Sequence, residues 1–266
     1  MIDRPTGRPF LDDPGPVLAF AHRGGAYHPE IEQLENTLAA FTHAVGLGYR
    51  YLETDVHVTS DGVLLAFHDT VLDRVTDARG VLASLTYADV RRAQIGGREV
   101  IPTLAQLMES FPDVRFNIDL KAAGAVPALV ELIDEHEAWD RVLVGSFSRR
   151  SLAEFRRLSG GRVATSAHPL EVAAYLLSPS ARLARLLTRG RPNALQIPHR
   201  RGPLLVATRG IVRRAHAAGL QVHVWTIDDP DEMRTLLDRG VDGLMTDRTD
   251  ILRDVLRKCG QWREPA

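Results

Sequence analysis

The sequence predicts an α/β protein, a closed (β/α)8 TIM barrel with a small insertion after its second strand. Short runs rich in Val, Ile, Leu and Phe alternate with longer amphipathic segments, the pattern of βα units wound around a parallel sheet. About eight such runs alternate with helices, which selects the closed barrel over an open doubly wound sheet. The length of 266 residues suits one barrel, and no linker, low-complexity stretch or internal repeat marks a boundary. Residues 1–266 are therefore expected to form a single domain, with 57–100 as the insertion inside it.

The elements follow in order. The run VLAFAHRGG (17–25) is the first strand, and 35–45 follows as a helix that Asn36 or Thr37 can cap. YLETDVHVT (51–59) completes the first βαβ unit. DGVLLAFHDT (61–70) then reads as a hairpin partner, and the polar stretch to Gly97 carries a short helix over 87–92. The alternation resumes with helix 104–110, strand RFNIDLK (115–121), helix 126–136, strand RVLVGSF (141–147), helix 150–158 and strand RVATSA (162–167). A long helical stretch, 170–188, is interrupted near Pro179. Strand ALQIP (194–198), helix 211–218, strand QVHVWTID (221–228), helix 231–238, strand GLMTD (243–247) and helix 251–258 close the series.

Composition narrows the function. With 44% hydrophobic and 25% charged residues and a net charge of -1, the chain has the balance of a globular protein and no overall field to attract nucleic acid. An anionic ligand must be held by a local cluster of cations. Lys occurs only at Lys121 and Lys258, which draws attention to Lys121. The single Cys259 excludes an internal disulfide and any multi-cysteine metal site. No segment reaches the ~18 apolar residues that span a bilayer, and the opening residues lack the apolar run of a signal peptide, so a cytoplasmic location is expected.

Reactive groups of such barrels lie where strands end. The first strand ends in His22-Arg23-Gly24-Gly25, the second contains Glu53, Asp55 and His57, the hairpin ends in His68-Asp69, and the third barrel strand ends in Asp119-x-Lys121. Glu53 and Asp55, two apart on a strand, point to the same face. With Asp119 they form either a buried ion-pair cluster with Arg23 and Lys121 or an all-oxygen site suited to Mg²⁺ or Ca²⁺. The company they keep favours the metal site. His22 and His68 suit proton transfer, which phosphodiester cleavage needs twice, and Arg23 and Lys121 would neutralise phosphoryl oxygens. Other histidines, among them His28, His43, His136 and His216, are expected to be structural.

The set HRGG (22–25), ENT (35–37), ETDVHVTSDGVLLAFHD (53–69), DRVTDARG (73–80), IPTL (101–104), NIDLK (117–121), VHVWTID (222–228) and GVDGLMTD (240–247) resembles the glycerophosphodiester phosphodiesterase family over nearly the whole chain. The resemblance implies hydrolysis of glycerophosphodiesters to glycerol 3-phosphate and an alcohol. It implies that His22 and His68 are the acid–base pair and that Glu53, Asp55 and Asp119 bind one divalent cation, Mg²⁺ or Ca²⁺, with Mn²⁺ as a third choice. Glu35 would lie beside that metal or orient groups around it, Arg23 and Lys121 would hold the phosphate, and Trp225 would line the pocket for the glycerol or alcohol moiety. Two departures stand out. The family usually has Glu at the position of Asp119, and the loop between HRGG and ENT is longer than usual, without the Pro that commonly precedes Glu35.

Two other readings compete. A lysophospholipase D-like member of the superfamily would need an apolar surface, and 172–187 is apolar on one face and basic on the other. Packing on the barrel is the expectation for that segment, so membrane contact is not favoured. A catalytically silent barrel that binds phosphorylated ligands would need neither histidine. The alcohol, the preferred metal and the oligomeric state are not readable from the sequence.

Overall fold

The computed structural model describes residues 6–12, 15 and 17–264. Its frame is eight parallel strands, β1 Leu18–His22, β2 Tyr51–Val58, β3 Arg115–Leu120, β4 Val142–Gly145, β5 Ala164–Thr165, β6 Ala194–Pro198, β7 Gln221–Trp225 and β8 Gly243–Thr246. They pair in the order β5-β4-β3-β2-β1-β8-β7-β6. A parallel bridge between Ser166 and Ala194 joins the two ends, with the Ala167 N–H donating to the Ala194 carbonyl at 2.9 Å. The expected (β/α)8 barrel is therefore formed. Nearly every strand residue is buried, as strands covered on both faces must be.

The largest apolar cluster lies between the strands and the surrounding helices. Inside the barrel the floor is filled by Phe10, Leu11, Leu18, Phe20, Tyr51, Leu143, Ala164, Ala194 and Met245. Phe10 and Leu11 precede β1 and plug that floor. Tyr51 Oη donates to the Phe10 carbonyl at 3.0 Å, Gln221 Nε2 donates to the Leu11 carbonyl at 3.0 Å, and the Phe10 and Tyr51 rings meet edge-on at 5.3 Å. Above the plug lies a polar layer. Gln196 Nε2 donates to Asn117 Oδ1 at 2.7 Å and lies 3.3 Å from His223 Nδ1, while His223 Nε2 is 3.0 Å from Gln221 Oε1. Burial pushes the His223 imidazole down to about 4.

Most expected elements form within a few residues of their sequence-based limits. The first helix is Leu38–Gly46, later than expected, because Thr37 is the cap: its Oγ1 accepts from the Ala40 N–H, while Asn36 takes a positive φ of 60°. The stretch 170–188 breaks as its Pro predicts, into helices Pro169–Leu177 and Ala181–Leu187. After β2, strand Leu64–Ala66 pairs antiparallel with it, and the inserted residues gather their own small core, including Leu65, Phe67, Leu72, Leu82 and Val90. Two hairpins escape the sequence reading, Gln94–Ile95 with Glu99–Val100 in this insertion and Arg200–Arg201 with Leu204–Leu205 after β6. Two-residue strands carry no period to detect.

Candidate active site

The mouth of the barrel is built from the strand ends, and register decides who meets whom. His22 stands beside Glu53 across the β1–β2 pair, and Asp55 beside Asp119 across β2–β3. Directly after β1 the chain turns through Arg23, Gly24 and Gly25, all at positive φ. A Cβ on Gly24 would lie 2.7 Å from Ala40 Cβ, and one on Gly25 2.6 Å from Thr249 Cγ2. Two glycines are thus required for the first and last helices to close against the turn that carries His22 and Arg23.

Each candidate histidine is held by its own carboxylate. His22 Nδ1 lies 2.8 Å from Asp247 Oδ1, and His68 Nδ1 lies 2.6 Å from Asp69 Oδ1. With Nδ1 engaged in this way, Nε2 is the nitrogen left for proton transfer on both rings. The His68 carbonyl is anchored by His57 Nε2, 3.0 Å away. Burial opposes a charge on His22, but Glu53 and Asp247 outweigh it and raise the ring to about 9.

Between the histidines lies a buried network of charge. Lys121 Nζ is 2.9 Å from Asp55 Oδ1 and 2.7 Å from Asp119 Oδ2, and Arg23 Nε is 3.0 Å from Asp55 Oδ2. The last contact is ionic, its angle too poor for a hydrogen bond. Burial opposes the charge on Asp55, yet Lys121 and Arg23 hold its carboxyl below the usual range. Asp119 is raised by burial in spite of Lys121. Glu53 receives the Arg23 N–H at 3.2 Å, and its nearest side-chain cation is His22, with Nε2 3.8 Å from Oε2. Burial, then the Asp55 charge, raise Glu53 to about 7.

A chain of ion pairs continues outward. Glu35 accepts from Arg23 Nη1 at 3.3 Å and from both terminal nitrogens of Arg74, whose Nε reaches Asp69 at 2.5 Å. Asn36 donates to Asp55 at 3.4 Å and accepts from Thr54 Oγ1 at 2.8 Å. The ENT segment therefore braces the carboxylates from beneath. At the rim, Trp225 meets the Phe147 ring edge-on at 6.1 Å, and Lys121 Nζ stands 6.0 Å over Phe147, which is 65% exposed.

Do these residues suit a divalent cation? Among the described residues no three His, Cys, Asp or Glu side chains converge as a ready cage, and Lys121 bridges Asp55 and Asp119. The donor chemistry does suit one. Glu53, Asp55 and Asp119 lie on adjoining strands and offer only oxygen donors, and Glu53 is buried with its charge poorly compensated.

Residues 22–251 match the glycerophosphoryl diester phosphodiesterase family. The chain belongs to that family. A Mycobacterium tuberculosis protein named probable glycerophosphodiester phosphodiesterase 2 is 44% identical over 250 residues, covering 93% of this chain and 94% of that one. Human lysophospholipase D is 26% identical over 270 residues, covering 89% of this chain and 85% of that one. Among solved structures, an Oleispira antarctica phosphodiesterase in complex with the product sn-glycerol-3-phosphate superposes with a TM-score of 0.75 at 25% identity, covering 90% of this chain and 96% of that one. A glycerophosphodiester phosphodiesterase from Agrobacterium tumefaciens shares the fold, with a TM-score of 0.73 at 24% identity over 89% of this chain and 99% of that one.

Within this family member, the structure gathers His22, Arg23, Glu35, Glu53, Asp55, His68, Asp119 and Lys121 into one continuous network, with Trp225 apart at the rim. Arg23 and Lys121, expected to hold phosphate, are engaged by carboxylates here. Leu34, which precedes Glu35, is buried, and a Cβ on Gly96 would lie 3.0 Å from it, so the loop before Glu35 packs on the segment that follows β2. Sequence reasoning gives no role to Asp247, Asp69, Arg74 or Phe147. The motifs ending in HD (68–69), beginning DR (73–74) and ending in GLMTD (243–247) hold three of them in plain view, but nothing local pairs His22 with a residue 225 positions away.

Proposed function

We propose that this barrel hydrolyses glycerophosphodiesters to glycerol 3-phosphate and an alcohol, with His22 and His68 moving the protons and one divalent cation at Glu53, Asp55 and Asp119. Family membership makes the chain a glycerophosphodiester phosphodiesterase. The mechanism rests on one observation: two imidazoles, each fixed at Nδ1 by its own carboxylate, stand at the edges of a buried cluster of carboxylates and cations. With Nδ1 of each ring held, Nε2 is left to exchange protons, so one ring can take a proton from the attacking oxygen while the other gives one to the leaving alkoxide. Arg23 and Lys121 supply fixed positive charge for the phosphoryl oxygens. A bound Mg²⁺, Ca²⁺ or Mn²⁺ would polarise the same oxygens and replace part of the charge that Lys121 and Arg23 give the carboxylates. Glu35 positions Arg23, and Trp225 with Phe147 forms an apolar wall for the alcohol.

Turnover should be assayed on glycerophosphodiesters and lysophospholipids, after chelation and with each cation restored. Metal-restored turnover of the small diesters is the expected result, and preference for the lysophospholipid would instead favour the reading suggested by the human relative. His22→Ala and His68→Ala should each lower kcat by about 10² to 10⁴. Asp119→Glu should retain turnover while Asp119→Asn loses it. Equal activity of those two variants would remove position 119 from the metal set.

A further inference from the structure

We infer that this protein docks on anionic lipid bilayers through the flank formed by helices Pro169–Leu177 and Ala181–Leu187. Between Val172 and Ile227 the chain contains nine arginines and no aspartate or glutamate. This stretch carries +9, and since the whole chain sums to -1, the remainder carries -10. Its helices, including Arg209–Ala217, lie side by side on the barrel, so the asymmetry is one of surface as well as sequence. Arg214 is spent on structure, its Nη1 donating to the carbonyls of Tyr175, Leu176 and Ser178. The other eight arginines are exposed. Glu171, just before the stretch, is already engaged by Arg156 at 2.7 Å.

The same flank carries apolar side chains facing outward. On helix Ala181–Leu187 only Ala184 is buried. Leu183, Leu186 and Leu187 occupy one stripe at positions i, i+3 and i+4, and that stripe points away from the barrel, with Leu186 73% and Leu187 62% exposed. Leu177, ending the preceding helix, is 83% exposed. Arg182, Arg185 and Arg189 are interleaved with them. Packing of the whole 172–187 segment on the barrel, the expectation from sequence, holds for Tyr175 and Ala184 and fails for these leucines.

Leucines ringed by arginines match a surface with an apolar interior under a layer of negative headgroups. A second copy of the chain fits less well, since a twofold contact would set this patch of unpaired arginines against itself. Nucleic acid would use the arginines, but the patch offers no aromatic ring for bases, and the leucines would stay wet. Because helix Pro169–Leu177 runs down the barrel from its mouth, the contact is a flank, and docking leaves the active site open.

The test is sedimentation of the full chain with vesicles of phosphatidylcholine, with and without about a third phosphatidylglycerol, at ~0.1 M salt. The chain should bind the anionic vesicles at least about tenfold more tightly, and more weakly in higher salt. R182E/R185E/R189E and, separately, Leu183→Ser with Leu186→Ser and Leu187→Ser should each weaken that binding about tenfold or more. Both variants alter exposed positions remote from the histidines, so turnover of a water-soluble diester should stay unchanged and report the fold. If either triple variant loses turnover, R185E and L186S alone carry the comparison. Equal binding to both vesicle types overturns the inference. So does a leucine variant that binds like the wild type, which would indicate attraction to polyanions alone, or a leucine-dependent doubling of mass without vesicles, which would identify a second copy as the occupant.

Discussion

Asp247 decides what His22 can do. Its Oδ1 holds Nδ1 at 2.8 Å and so fixes both the tautomer and the direction of Nε2. Asp247→Asn keeps the shape but offers Nδ1 an amide that can donate, which allows the wrong tautomer. We expect kcat to fall by about 10² or more with KM little changed, because proton transfer is impaired and phosphate binding is left alone. Steady-state kinetics on a soluble diester decides it, and a change confined to KM would place Asp247 outside the chemistry. At this scale the sequence was most legible where charged side chains and strand ends coincide. Glu53-x-Asp55 and Asp119-x-Lys121 announce themselves by spacing, whereas Asp247 and Phe147 gain meaning only when β8 lies beside β1 and β4 beside β3.

Elements hold the site through their ends. Thr37 starts the first helix by accepting from the Ala40 N–H and also donates to the Leu34 carbonyl at 2.7 Å, so one hydroxyl joins the helix to the loop that carries Glu35 and Asn36. Thr37→Ala should cost about 1 to 2 kcal/mol of stability from the cap. Because Asn36 braces Asp55, kcat should fall as well. Chemical denaturation together with kinetics reads both effects, and a stability loss with unchanged kcat would show that the loop keeps its place without the hydroxyl. The choice between Asn36 and Thr37 as cap was not resolvable from sequence, since both residue types cap helices well. What decided it is the turn after β1: the Asn36 N–H donates to the Arg23 carbonyl at 2.9 Å, and this draws Asn36 into its positive φ.

Across the whole molecule, the barrel alternates an apolar floor, a polar middle and a charged mouth. His223 in the middle layer is fully buried, and its pKa is pushed down to about 4 from an unfolded value near 6.5. The unfolded chain therefore binds the proton more readily. The stability this group contributes is complete above pH 6.5 and is lost as the pH falls toward 4, on the order of 3 kcal/mol in all. Urea midpoints measured between pH 4 and 7 should rise with pH more steeply for the wild type than for His223→Gln, and parallel curves would show that this ring does not set the acid limit. Eight alternating units were legible from sequence because each strand is a short, largely buried run between amphipathic helices. The plug by Phe10 and Leu11 was not, because a short apolar pair before β1 has no period and its partners lie on other strands. The pairing of β1 with β8, Leu18 against Gly243, has a consequence for biosynthesis. The first barrel strand to leave the ribosome keeps one unpaired edge until the eighth has been made, and such an edge invites association with other nascent chains. Arrival of β8, more than the appearance of any earlier unit, is the moment at which this barrel becomes safe from its neighbours.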